Sequence, residues 1–186
     1  MENQQIKNII ETLLFVSHQP IPPKTLRRIL GITDEELKTA VLELEQEYQT
    51  RALQIIYIAE GYQIASRKEY APYIRKLYAD RTTFKLSPSS LETLAIVSYK
   101  QPITKAEIEE IRGVDAGGVL DTLLERKLIR ICGRKETLGR PILYGTTPDF
   151  LRYFGLGSIA DLPPLEEFIQ PELESQAEET GEEIQE

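Results

Sequence analysis

One stretch of this chain is written twice. Glu11-Thr-Leu-Leu-Phe-Val-Ser-His-Gln-Pro-Ile21 returns as Glu92-Thr-Leu-Ala-Ile-Val-Ser-Tyr-Lys-Gln-Pro-Ile103, with one residue inserted after the Ser, so the offset moves from 81 to 82. The echo continues through Ile29 and Gly31, matched by Ile111 and Gly113. A repeat of this length implies two copies of one folding unit. Shared chemistry must then rest on residues that both copies possess. Two copies and their connections leave about 80 residues each, enough for a small single domain.

In the first copy Ile6, Ile9, Ile10, Leu13 and Leu14 recur at helical spacing and predict a helix over 4–17. Gln19-Pro20-Ile21-Pro22-Pro23 ends it, and Pro23 suits the first turn of a second helix. Leu26, Ile29 and Leu30 are expected on the inner face of that helix, with Gly31 closing it. Thr33 and Glu36 spell a capping box for a third helix, striped by Leu37, Ala40, Val41, Leu44 and Tyr48. Two segments rich in Ile and Tyr follow, 53–58 and 62–66, with Ala59-Glu60-Gly61 as a hairpin turn. Helices joined by a short Gly turn and followed by a hairpin make a winged helix-turn-helix. A closing helix is expected over 68–78, carrying Tyr70, Tyr73, Ile74, Leu77 and Tyr78.

The second copy repeats the plan. Ser87 caps a helix that Pro88 opens, with Leu91, Leu94, Ala95 and Ser98 expected inside. Thr104 and Glu107 form another capping box, and Ile108 and Ile111 are expected to face inward. Val119, Leu120, Leu123 and Leu124 drive a third helix, and 128–132 and 141–146 are the strands of a second wing. A short helix over 149–154 ends the unit. The fold class expected is α+β, mainly α: two tandem winged helix-turn-helix domains with a disordered acidic C-terminal tail. The boundaries read as 1–80, a linker at 81–87, 88–160, and a tail over 161–186.

The charge is unevenly spread. From Asp161 onward there are ten acids and, after Arg152, no Lys or Arg. Taking those ten from 30 leaves 20 acids against 22 bases, so the body is nearly neutral although the chain carries −8. A dedicated nucleic-acid binder shows a basic excess in its domain. No apolar run approaches the roughly 18 residues of a membrane span. A single cysteine excludes an internal disulfide and fits a reducing compartment. The extreme acidic end, 175–186, reads as a solvated segment.

No catalytic or metal constellation emerges. His18 is the only histidine, and the second copy places Tyr99-Lys100 there, so His18 reads as a helix-end residue. Zinc sites and nucleophilic triads need several such partners. Cys132 is expected at an inward strand position as a small buried apolar residue. The glycines make no phosphate loop. The reading is therefore of a chain that is not an enzyme, with no cofactor, no metal and no small-molecule substrate.

A winged helix invites a DNA-binding reading, but the third helices argue against base readout. Their N-terminal residues are Thr33-Asp34-Glu35-Glu36 and Asp115-Ala116-Gly117-Gly118, where a reader of base edges wants Arg, Lys, Asn or Gln. The one basic cluster, Arg130, Arg134, Lys135 and Arg140, surrounds the second wing. The rival class is a winged-helix DNA-binding transcriptional regulator, which predicts strongly salt-dependent DNA affinity.

The segment Leu91-Glu-Thr-Leu-Ala-Ile-Val-Ser-Tyr-Lys-Gln-Pro-Ile-Thr-Lys-Ala-Glu-Ile-Glu-Glu-Ile-Arg-Gly-Val114 resembles the signature of the segregation and condensation protein B (ScpB) family. So do Leu123-Leu-Glu-Arg-Lys-Leu-Ile-Arg-Ile131, Gly133-Arg-Lys-Glu-Thr-Leu-Gly-Arg-Pro-Ile-Leu-Tyr-Gly-Thr-Thr147 and Asp149-Phe-Leu-Arg-Tyr-Phe-Gly155. The first copy is similar through Leu13-Leu-Phe-Val-Ser17 and Glu60-Gly-Tyr-Gln63, and only Ser98 and Lys105 depart, standing where the family often has Ala and Arg. The resemblance implies a bacterial, cytoplasmic, nucleoid-associated, non-enzymatic subunit of a condensin-like complex for chromosome condensation and segregation. It implies a homodimer, paired through the first domain, that binds the kleisin ScpA and through it the SMC ATPase heads, with DNA met only indirectly or weakly and no membrane. On that reading the kleisin-facing surface is expected on the second domain: Tyr99, Lys100 and Gln101 at a helix end, with Arg140, Pro141 and Tyr144 on the wing.

Overall fold

A computed structural model describes residues 2–78 and 85–164. Most of the expected linker and the tail beyond 164 lie outside the described residues. Helices α1 (Asn3–Val16), α2 (Pro23–Leu30) and α3 (Asp34–Glu47) come first, then strands β1 (Leu53–Ile58) and β2 (Gly61–Ser66), and a short helix α4 (Ala71–Leu77). The second unit runs α5 (Pro88–Lys100), β3 (Ile103–Thr104), α6 (Lys105–Arg112), α7 (Gly117–Glu125), β4 (Ile129–Arg134), β5 (Ile142–Thr146) and α8 (Pro148–Phe154). Each unit is thus three helices and a hairpin, the winged arrangement, and the fold is α+β.

The second helices of both units end on a left-handed glycine, Gly31 (φ 66°) and Gly113 (φ 71°), which stops the helix without a Cβ penalty. The helix starts differ between copies. In the first, Pro23 opens α2 and the Thr33–Glu36 capping box opens α3. In the second the capping box moves to α6, where the Glu107 carboxylate accepts the Thr104 N–H at 2.8 Å. The start of α7 is served by two acids: the Ala116 N–H donates to Glu109 at 2.9 Å and the Gly117 N–H to Asp115 at 3.1 Å.

Each unit also adds backbone pairing at the edge of its hairpin, an isolated bridge in the first and a two-residue strand in the second. In the first, Ile21 and Tyr62 exchange both backbone hydrogen bonds, at 2.9 and 3.0 Å. In the second, β3 pairs antiparallel with β5, matching Ile103 to Tyr144, and β5 pairs with β4. Gly61 lies where the Pro20–Ile21 segment crosses the first hairpin: a Cβ there would come within 2.9 Å of the backbone carbons of Pro20 and Ile21.

Two hydrophobic clusters fill the units. One gathers Ile6, Ile10, Leu14, Leu26, Leu37 and Leu44; the other Leu94, Val97, Ile108, Leu120, Leu123 and Phe150. The units touch at the tip of the first wing. The backbone N–H groups of Ala59 and Glu60 donate to the carbonyls of Leu156 and Gly157, at 2.9 and 2.7 Å. Ala59 also packs against the second cluster.

Several expected inner positions are corrected. Ile29 and Ile111, equivalent in the repeat, are 53% and 54% exposed. Their helices span only eight residues each, and the buried turn is carried by Leu26 and Leu30 in one and Ile108 in the other. On α5 the buried stripe is Ser90, Thr93, Leu94, Val97 and Ser98, while Leu91 and Ala95 are exposed. The burial of hydroxyls is tolerated because Thr93 donates to the Ser89 carbonyl and Ser98 to that of Ala95, both at 2.8 Å. Cys132 is exposed rather than inward. Pairing passes from Ile131–Tyr144 to Gly133–Leu143, so Cys132 is the extra residue of a β-bulge and the strand's alternation lapses there.

Candidate functional site

The six residues expected to face a partner fall into separate places. Helix α5 ends at Lys100, and the Gln101 N–H closes it on the Val97 carbonyl at 3.0 Å. Lys100 is exposed. Tyr99 is half-buried, its hydroxyl donating to the Pro163 carbonyl at 2.6 Å. Gln101 turns toward the root of the wing. Its Oε1 accepts from the Thr146 N–H at 2.7 Å and the Thr146 hydroxyl at 3.0 Å, and its Nε2 donates to the Ser98 carbonyl at 3.2 Å. Tyr144 lies in the core at 8% exposure, between Ile103 and Ile131 in the sheet. Arg140 and Pro141 stand at the far end of the hairpin, where the Lys135 N–H donates to the Pro141 carbonyl at 2.9 Å.

Two concavities adjoin the end of α5. The first, about 480 Å³, lies between the units and is lined by Glu60 of the first wing and by Tyr99, Gln101, Arg130 and Thr147 of the second unit. The second, about 440 Å³, is an apolar groove formed by Leu91, Ala95, Tyr99, Phe154, Leu162 and Pro163. Tyr99 belongs to both. Arg140 and Pro141 line neither.

The groove was not legible as such. Leu91 and Ala95 carry an apolar pattern that suits a core as well as a groove, and what separates the two is the rotation of α5, which turns Leu94 and Val97 inward instead.

A third surface belongs to the first unit. Helix α4 and the residue that caps it expose Tyr73 at 70%, Leu77 at 77% and Tyr78 at 46%, and the helix buries none of its own side chains. An exposed apolar patch of this kind marks an interaction surface more often than solvent-facing helix. The most strongly shifted carboxyl lies beside the second wing. Lys135 pairs with Glu107 at 2.6 Å, and this ammonium, with the Thr104 N–H and hydroxyl, holds the Glu107 carboxyl down to about 2. Among the described residues no group of three or more His, Cys, Asp or Glu is placed to hold a metal ion, and no helix is long and apolar enough to cross a membrane.

A sequence profile described as segregation and condensation complex subunit ScpB matches residues 8–165. Segregation and condensation protein B of Desulforamulus reducens is 48% identical over 167 residues, covering 89% of this chain and 92% of that protein. The protein of the same name from Syntrophotalea carbinolica is 42% identical over 179 residues, covering 95% and 90%. Among solved structures, the dimer of the ScpB N-terminal domain complexed with ScpA peptide matches 40% of this chain and 95% of that one at 27% identity, with a TM-score of 0.38.

Proposed function

The chain belongs to the segregation and condensation protein B family, and on that footing we propose that it is a non-enzymatic, cytoplasmic subunit of a condensin-like complex. Its work is recognition: a homodimer binds the kleisin ScpA and, through it, the SMC ATPase heads at the nucleoid. The observation that carries this reading is apolar surface left open on both units, helix α4 on the first and the groove beside Tyr99 on the second. Affinity between proteins comes from a few buried aromatic and Arg anchors, and these surfaces offer them.

The two units divide the task. The first, within 1–80, pairs the protein with itself through α4; the second, within 88–160, meets the kleisin. Tyr99, Lys100 and Gln101 form the near part of that contact, with Arg140 and Pro141 at the wing, and Tyr144 supports them from the core side.

Light scattering behind size-exclusion chromatography tests both parts. The chain of 21.2 kDa should elute at twice that mass and gain mass with a kleisin fragment. Leu77→Asp should give the monomer. Tyr99→Ala should leave the dimer intact and weaken kleisin binding at least about tenfold. A wild-type monomer that ignores the kleisin sinks the proposal.

A further inference from the structure

The two wings are not equally available. The tip of the first is engaged by the Leu156 and Gly157 carbonyls. The second stands clear: from Arg130 to Arg140 every residue is exposed, and Leu138 at its tip is fully so at 103%. Residues 129–141 carry four cations, Arg130, Arg134, Lys135 and Arg140, against one acid, Glu136. Lys135 is paired with Glu107. The arginines are held differently. Arg130 donates its Nε to the Thr146 carbonyl at 3.2 Å and Arg134 a terminal nitrogen to the Arg140 carbonyl at 3.1 Å. Both contacts fix the guanidinium and leave its charge unneutralised.

We propose that the second wing is a sequence-independent contact for the phosphate backbone of duplex DNA. The inference goes beyond the kleisin reading and stands without it. A two-stranded β-ribbon fits a DNA groove, and guanidinium forks match phosphate oxygens. A bare Leu at the tip, flanked by arginines, has the make-up of an apolar wedge that enters the minor groove. Helix α7, which would have to read bases, presents Asp115 before its start and Asp121 and Glu125 along it, all exposed. The contact is therefore to phosphates and carries no sequence code.

Three arginine–phosphate contacts give a slope of log affinity against log salt of about −3, or about a 20-fold loss for a threefold rise in salt. The chain supplies its own probe, since its single cysteine, Cys132, is exposed between Arg130 and Arg134. A fluorophore on Cys132 of the full chain is titrated with two duplexes of unrelated sequence, at low salt and at about three times that concentration. Both duplexes should quench or enhance the dye equally and lose affinity by the stated factor. Arg130→Ala with Arg134→Ala should lower the slope by about 2, and Glu136→Gln should tighten binding. Arg140 is left unaltered because it also belongs to the kleisin surface. No response to either duplex overturns the proposal. So does a response to poly-glutamate that DNA does not reproduce, which would assign the wing to an acidic protein segment. An unchanged slope in the double variant overturns it as well, by placing the DNA elsewhere.

Discussion

Arg67 follows the last residue of β2, and its guanidinium gathers the end of α3. Its Nε donates to the Arg51 carbonyl at 2.8 Å, and one terminal nitrogen donates to the carbonyls of Tyr48 and Gln49, both at 2.9 Å. Those carbonyls belong to the helix terminus and the turn after it, where a cation is favoured. Lys cannot reproduce the fork, so Arg67→Lys should cost about 2 kcal/mol in urea unfolding. Lys7 is another residue whose role no pattern announced. It is buried on α1 yet pairs with Glu43 at 3.0 Å and Glu47 at 2.6 Å, and these contacts raise its pKa. A Lys among Ile6 and Ile10 looks like an ordinary solvated position, because its partners lie on a helix about 40 residues away and distance in sequence hides them. Glu107 gives a pH prediction. Its carboxyl is held down to about 2 from an ordinary 4.5, by Lys135 first and then by Thr104. A depressed carboxylate stabilises the fold above its unfolded pKa and loses that contribution as pH falls through the folded one. Urea midpoints should therefore drop between about pH 4.5 and 2, and Glu107→Gln should flatten that part of the curve.

At the scale of elements, punctuation was the most legible part of the chain. Gly31, Gly113, Thr33 with Glu36, and Thr104 with Glu107 all end or begin helices as their local chemistry dictates, since caps depend on neighbours in sequence. Faces were read less well. Ile29, Ile111, Leu91 and Ala95 are apolar but exposed, because which stripe is buried depends on the element packed against it. Of the candidate site, the helix end at Tyr99–Gln101 was visible as a break before Pro102, whereas the burial of Tyr144 followed from strand β3, two residues too short to show a period. The first hairpin holds a test. Ala59 and Glu60 both sit in the left-handed region, φ 47° and 60°, as the central pair of a two-residue turn between Ile58 and Gly61. Asn-Gly is the pair this turn prefers. Ala59→Asn with Glu60→Gly should stabilise the fold by about 1 kcal/mol, read as a raised melting temperature. Gly61→Ala should do the opposite, by about 1–3 kcal/mol, because a methyl would meet the backbone of Pro20 and Ile21.

For the whole molecule the question is how strongly two units are coupled. Each has its own hydrophobic cluster, and the join described is two backbone hydrogen bonds with Ala59 packed beside them. That is worth about 2 kcal/mol, less than the stability of a typical small domain. The units should therefore unfold separately, with a calorimetric enthalpy larger than the van't Hoff value. A single transition with equal enthalpies would mean that more surface is shared than this join contains. The repeat made two units evident from the sequence, but not the join. It is built from the N–H groups of Ala59 and Glu60 and the carbonyls of Leu156 and Gly157, which every residue but proline supplies in the same form. The hydrogen-bonded part of such a clasp is insensitive to mutational drift. Descendants of this chain are free to vary the exposed side chain of Glu60, within the limits of its turn, and still inherit these backbone bonds, while Ala59 stays tied to the cluster it packs against.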